Sequence, residues 1–332
     1  MSLYILHGFN PSPYSVKMRA ILRYRRIPFV WNAYGDPKAA AARANLPPVI
    51  PVLTFPDGRV MNDSTPLAHA LEREHRERSI VPDDPVQAYL SDLLEDFGDE
   101  WVTKAMFHYR WYYAPDRGFA QDWVITSRHP QMPAAERAAA KQMFNDRQVG
   151  RMAMVGCTEQ NRPIIEDSYR LVIDTLDRHV REIPFLFGGR PALADFGLFG
   201  QLAILAVDPT PMAEMRERAV DLYCWLLRLD DASGVEGKWA DPAAPLPATL
   251  RTLLKHCGNT YLPFLAANLK ALQDGREEMS LQIGGRPYAQ SPFRYQAKCY
   301  DALRKKLAAQ PADIRRRLDP ILEEAGCLTY LA

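Results

Sequence analysis

Four residues, Ser12-Pro13-Tyr14-Ser15, carry the first chemistry legible in this chain. They separate a β-prone apolar run, Leu3–Leu6, from a stretch, Val16–Tyr24, that sets Val16, Ala20, Ile21 and Tyr24 on one helical face. Ser12 suits the N-cap and Pro13 the first helical position, where a missing N–H costs nothing. Such a helix start collects unpaired N–H groups and the positive end of the helix dipole, so it favours an anion. A thiolate held there would be stabilised by the Ser12 hydroxyl and the amides behind it. The plainer reading is that Ser12 only caps its helix. Tyr4 and Tyr14 are alternative hydroxyl donors, and His7 reads as a strand-end residue bonded to backbone rather than an acid–base group. Two further places could bind. Ile50-Pro51 is an X–Pro bond, at which a cis peptide costs little. At Asp63-Ser64, just before Pro66, Ser64 reads as an N-cap whose hydroxyl and helix end receive a carboxylate, while Asp63 receives an ammonium group.

The elements that must position these residues follow in a recognisable order. A strand (Leu3–Leu6), a helix (Ser12–Arg25), a strand (Phe29–Asn32) and a short alanine-rich helix (Pro37–Ala44) come first. Next come Pro47–Leu53, a hairpin turning at Pro56-Asp57-Gly58, and a helix, Leu67–Glu74. This β-α-β-α-β-β-α order, with a proline opening the third strand and Asp-Ser at a helix start, resembles the thioredoxin-like domain of the glutathione transferases. Ser12-Pro13-Tyr14-Ser15 resembles the Cys-Pro-Tyr-Cys loop of glutaredoxins with serine in both cysteine positions. The resemblance implies glutathione as co-substrate. Ser12 would stabilise its thiolate, a cis Ile50–Pro51 would align its cysteinyl part, and Asp63 with Ser64 would hold its γ-glutamyl group. Lys38 or Arg43 would reach its glycyl carboxylate.

A linker over Ile80–Pro85 ends this domain, and from Val86 the periodicity becomes helical, with Tyr89, Leu90, Leu93, Leu94, Phe97 and Trp101 along one stripe. The densest aromatic patch, Met106–Tyr113, reads first as helical core. The resemblance makes it the wall of an apolar electrophile pocket, with Tyr109, Tyr112 and Tyr113, beside Tyr14, as candidates. Ala114–Asn145 looks like an insertion or lengthened helical connection, and Pro163–Arg181 like an amphipathic helix. Phe185–Gly197 resembles the turn that starts the buried central helix of the transferase helical domain. There Ala192 takes the place of a capping hydroxyl, which costs ~1 kcal/mol, while Asp195 remains. The remaining residues, from about Asp231, are extra to that family and read as helical, with loops at Pro242–Pro247 and Gly284–Ser291.

The expected architecture is therefore an α/β thioredoxin-like domain (1–80), an all-α domain (86–230) and a helical extension (231–332). Net charge of +1 gives no electrostatic case for nucleic acid or an anionic membrane. No run approaches the ~20 apolar residues of a membrane span, and no signal peptide is evident, so a cytoplasmic protein is expected. The five cysteines lie outside the first 80 residues and lack metal or redox spacing. That argues against thiol–disulfide chemistry and against a metal. The leading expectation is conjugation of glutathione to an apolar electrophile, as in detoxification, by a homodimer like those of the resembled family. The alternatives are a glutathione-dependent isomerase and a non-catalytic glutathione-binding or protein-interaction module on the same scaffold.

Overall fold

The computed structural model describes residues 3–332. Its first elements are β1 (Tyr4–His7), α1 (Pro13–Tyr24), β2 (Phe29–Asn32), α2 (Pro37–Arg43), β3 (Val52–Thr54), β4 (Val60–Asn62) and α3 (Ser64–Glu74). The sheet runs β2-β1-β3-β4. β1 is parallel to β2, with Tyr4 opposite Phe29, and antiparallel to β3, with Leu6 opposite Leu53. β3 and β4 close the hairpin with Leu53 opposite Met61. Leu6, Leu53, Ile21, Leu22, Leu67 and Leu71 are buried between this sheet and the helices. The parallel β1-α1-β2 crossover needs an intervening helix, and α1 supplies it. This is the thioredoxin-like domain expected from the sequence.

Helices follow: α4 (Pro85–Phe97), a π-helical turn (Gly98–Val102), α5 (Thr103–Tyr112), α6 (Ala114–Arg128), α7 (Ala134–Val149) and α8 (Arg162–Glu182). Next are α9 (Leu193–Leu205), α10 (Pro209–Arg218) and α11 (Val220–Leu229). The region 114–145, read as an insertion or lengthened helical connection, is the helical pair α6 and α7. α9 is apolar all round and is buried along nearly its whole length, between α1 and α4. Glycines permit the close approach. A Cβ on Gly197 would come within 3.0 Å of Glu95, and one on Gly200 within 2.9 Å of the Pro13 carbonyl oxygen. α9 thereby presses directly against the start of α1, where Ser12 stands. At the head of α9, buried Asp195 accepts from the N–H of Ala192 (2.8 Å) and of Leu186 (3.0 Å). Ala192 has no acceptor to return, so one arm of the capping box is absent, as its sequence implies.

The last part of the chain is α12 (Ala248–His256), a second π-helical turn (Cys257–Tyr261), α13 (Leu262–Gln273), β5 (Met279–Ile283), β6 (Arg286–Gln290), α14 (Arg294–Ala308), α15 (Ala312–Glu324) and α16 (Leu328–Leu331). Its departure from the purely helical expectation is the β5–β6 hairpin, which replaces the loop expected at Gly284–Ser291. Gly284 and Gly285 form its two-residue turn with φ of 56° and 75°, the left-handed region such turns need. Alternation then buries Met279, Ile283 and Tyr288. The C-terminal helices cover α4. The Tyr89 hydroxyl donates to the Leu303 carbonyl (3.3 Å), Lys306 pairs with Asp92 (2.8 Å), and Tyr261 donates to Asp96 (2.7 Å). One continuous apolar core runs from Tyr4 to Leu331. Among the described residues, no helix is long and apolar enough to cross a membrane.

Candidate functional site

Ser12 is the N-cap of α1, with extended backbone (φ −102°, ψ 118°). Its Oγ accepts from the Ser15 N–H (3.3 Å), and the residue is buried, only 5% exposed. The loop before it is held from the helical domain. Buried Arg110 donates to the Pro11 carbonyl (2.9 Å) and grips Asp208 with two bonds (2.8 and 3.1 Å). His7 lies between Thr54 (3.1 Å) and Asn32 (3.1 Å) at the end of β1, and burial lowers its pKa. His7 is a strand-end residue as expected, but its partners are the side chains of β2 and β3 rather than backbone groups.

A cleft of about 370 Å³ opens beside this loop, lined by Tyr14, Val49, Ile50, Asp63, Ser64, Thr65, Asp96, Asp99, Glu100 and Tyr295. Three separated stretches meet there. The Ile50–Pro51 bond is cis. The segment before it is tied to β4 by Asn62, whose amide donates to the Pro47 carbonyl (2.7 Å). Asp63 occupies the cap position of α3 with φ of 74°, in the left-handed region. Ser64 is the first helical residue rather than the N-cap expected. Asp63 makes no side-chain bond to the helix it precedes. Its Oδ2 instead accepts from the Tyr295 hydroxyl (2.8 Å), 232 residues away in sequence. The Tyr14 hydroxyl donates to the Asp99 carbonyl (2.9 Å), which turns Tyr14 from the Ser12 loop toward the cleft floor.

That floor is acidic and rests on one buried cation. Lys17 is fully buried and pairs with Glu95 (2.5 Å) and Asp99 (2.6 Å). Thr65 donates to Glu95 (2.6 Å), and Ser64 reaches Asp99 at 3.5 Å. Asp99 Oδ1 is buried without a partner among the described residues. Burial works against the Lys17 charge, but Asp99 and Glu95 hold its pKa above that of an ordinary lysine. The two carboxylates divide. Burial raises Glu95, yet Lys17 and Thr65 bring it below the usual range. For Asp99, burial outweighs Lys17 and lifts the pKa to about 7. Burial also lifts Asp96 to about 7 and, with Asp96 and Asp99 adding repulsion, raises Glu100 well above its ordinary value. Burial raises Asp63 too, against the hydrogen bond from Tyr295.

A pH dependence of stability follows. Asp96 and Asp99 retain protons near pH 7 that the unfolded chain, with carboxylate pKa values near 4, has released. Their contribution is therefore full at acid pH and lost as pH rises through 7. His7, His69, His179 and His256 (at about 4), whose pKa values burial lowers, act in the opposite direction, an effect that fades as pH rises past their unfolded value near 6.5. Between pH 6.5 and 7.5 the raised carboxylates, Glu100 and Asp195 (at about 7) among them, outnumber and outweigh the fading histidines and Lys104, which burial lowers to about 8. Each carboxylate near its midpoint is worth about 0.7 kcal/mol per pH unit. Urea unfolding at pH 6.5, 7.0 and 7.5 is expected to show stability falling with pH. Asp99→Asn is expected to flatten that slope, and a rising slope would contradict the assignment.

The aromatic residues expected to wall the pocket stand elsewhere. Tyr109 is buried, with its hydroxyl on Glu214 (3.0 Å), Tyr113 donates to Glu166 (2.5 Å), and Tyr112 bonds Glu159. They cluster around His108, which bonds Glu166 (3.0 Å). The helical phase is the reason. The face of α5 toward the cleft carries Thr103, Lys104 and Phe107, and residues 109, 112 and 113 fall on the opposite side. Thr103, Lys104 and Phe107, with Glu100, Val155, Phe293, Tyr295 and Gln296, line a second cavity of about 230 Å³ that shares Glu100 and Tyr295 with the cleft. Spacing of i, i+3, i+4 and i+7 from Glu100 through Phe107 is the signal that could have found this face. Lys38 is exposed on α2 and lines neither cavity; burial and the nearby Arg147 and Arg128 lower its pKa. Arg43 is likewise exposed and outside both. The five cysteines are unpaired, and no group of metal-ligating side chains occurs among the described residues.

Residues 6–79 match the family model described as the glutathione S-transferase N-terminal domain. No curated protein matches the chain significantly. Solved structures with distant similarity include a glutathione S-transferase from Methylobacterium radiotolerans in complex with glutathione sulfonate. It is 20% identical, with 73% of this chain and 98% of that one covered, at a TM-score of 0.44. Beta-etherase LigF from a Sphingobium species is 18% identical, covering 77% and 100%, with a TM-score of 0.47. A glutathione S-transferase from Methylobacillus flagellatus with GSH bound is 16% identical, covering 75% and 98%, with a TM-score of 0.39. Over residues 6–79, then, this chain is similar to the N-terminal domain of the glutathione S-transferases.

Proposed function

We propose that the cleft binds glutathione as co-substrate and presents its thiolate to an apolar electrophile. The observation that carries this reading is the meeting of Tyr14, Ile50, Asp63 and Ser64 in one cleft, with Ser12, which caps the helix that carries Tyr14, buried just outside its lining. Asp63 suits the γ-glutamyl ammonium, and the start of α3 with the Ser64 hydroxyl suits the carboxylate on the same carbon. The Ile50 backbone offers the cysteinyl part a strand-like pair of hydrogen bonds. The Ser12 oxygen accepts from Ser15, which leaves its proton to donate to the thiolate. In conjugation the thiolate attacks the electrophilic carbon, a C–S bond forms, and the leaving group departs with its electron pair. The chain's own task is to lower the thiol pKa and hold the two partners close.

Burial of Ser12 within its own helix cap favours a second reading, a glutathione-binding module without turnover. The two separate by titrating glutathione calorimetrically into the wild type and Ser12→Ala, then following conjugation of a chloro-nitroaromatic. A transferase binds in both forms and loses about tenfold in turnover in Ser12→Ala, the worth of one hydrogen bond to a charged sulfur. Binding without turnover in the wild type identifies the module, and absence of binding removes glutathione from the account.

A further inference from the structure

Asp63, the residue proposed for the ammonium end of glutathione, already has a partner from the far end of the chain. The Tyr295 hydroxyl donates to its Oδ2 at 2.8 Å. Tyr295 lies in the first turn of α14, and the chain entering that turn is clamped. Fully buried Asn268 donates to the Phe293 carbonyl (2.9 Å) and accepts from the Phe293 N–H (2.7 Å). The backbone under Tyr295 is thus fixed from both directions, whereas its side chain is held at the tip by that single bond to Asp63 among the described residues. The ring lines two cavities at once, the cleft of about 370 Å³ and the adjoining one of about 230 Å³ walled by Phe107, Val155 and Phe293.

We propose that Tyr295 is a specificity-determining gate, contributed by the C-terminal extension, between the glutathione cleft and the Phe107–Phe293 cavity. Its hydroxyl occupies Asp63 in the absence of ligand, and its ring forms the partition. An ammonium group arriving at Asp63 competes for the carboxylate with a charge where the tyrosine brings only a neutral donor, so the ammonium displaces it. Release of the hydroxyl lets the ring swing about χ1 and joins the two spaces, so that the second substrate enters after the first. The second cavity sets Phe107, Val155 and Phe293 against Glu100, Thr103, Lys104 and Gln296, which fits an aromatic or aliphatic electrophile carrying polar substituents.

This inference rests on the reading of the cleft as a glutathione site, and its test separates the two. Glutathione is titrated into wild type, Tyr295→Phe, which keeps the ring and removes the hydroxyl, and Tyr295→Ala, which removes both. Removing the competing hydroxyl is expected to tighten glutathione binding by about 3–10-fold in both variants, the worth of about one hydrogen bond. Tyr295→Ala alone is expected to raise kcat/KM for a bulky electrophile relative to a small one by about tenfold, as the partition disappears. Equal or weaker glutathione binding in Tyr295→Phe, with the wild type binding normally, overturns the gate and leaves the glutathione site standing. Binding by Tyr295→Phe alone supports the gate in its strongest form. Failure of all three proteins to bind overturns the gate together with the glutathione site.

Discussion

Replacing Lys17 with methionine is expected to cost about 3–5 kcal/mol, the largest stability loss of any single substitution near the cleft. The side chain is fully buried, and among the described residues its ammonium is the only cation bonded to Glu95 and Asp99. Methionine keeps most of the stem, which packs where α1 meets Gly200 of α9, so little cavity is made. What disappears is the charge. Glu95 and Asp99 would then face each other, with Asp96 and Glu100 nearby, without compensation. Each buried carboxylate must take up a proton or remain charged in a poorly solvated site. Urea unfolding at pH 7.5 measures the loss, and lowering the pH to 5.5 is expected to recover part of it, since protonation is then easier. Combining Lys17→Met with Glu95→Gln and Asp99→Asn is expected to recover most of it at both pH values. A triple variant no more stable than the single one would assign the loss to packing instead.

The same triad explains why some of the site was legible in sequence and some was not. Ser12-Pro13 at a helix start, Ile50-Pro51 before a hairpin, and Asp63-Ser64 before Pro66 each act through local backbone geometry. The residue types and their immediate neighbours suffice to place them. Only the fine position of Ser64, one residue inside the helix, escaped. Lys17 reads locally as an ordinary charge on an amphipathic helix. Its burial depends on α4 and its π-helical turn, which come some 80 residues later. Tyr295 is the extreme case. Nothing near it in sequence hints at Asp63, and only packing of the C-terminal helices on α4 brings the two together. The aromatic patch failed for another reason. Density of tyrosines marked the right helix, but the side facing the cleft is set by helical phase, and there Phe107 faces the second cavity while Tyr109, Tyr112 and Tyr113 turn toward α8. The β5–β6 hairpin was hidden because Gly284-Gly285 and Pro287 read together as a loop. Pro287 is tolerated because a two-stranded ribbon leaves one edge of each strand unpaired.

Asp63→Asn is expected to weaken glutathione binding at least ~30-fold, the loss of a charge-assisted pair worth about 2–3 kcal/mol. Asparagine is the informative replacement. At φ of 74° an alanine would add backbone strain, whereas asparagine tolerates the left-handed region and still accepts a bond from Tyr295. Loss of binding then reports the missing negative charge rather than a rearranged loop. Calorimetry with a des-amino analogue of glutathione provides the internal control. Without an ammonium group the analogue has nothing to pair with Asp63, so wild type and Asp63→Asn should bind it with the same affinity. Binding should also weaken in the wild type, but not in Asp63→Asn, as the pH is lowered through the raised pKa of Asp63, because protonation removes the charge that the ammonium needs. Equal affinity of the two proteins for glutathione itself would remove Asp63 from the γ-glutamyl site. The Tyr295 bond would then be a simple tether between the C-terminal helices and the thioredoxin-like domain.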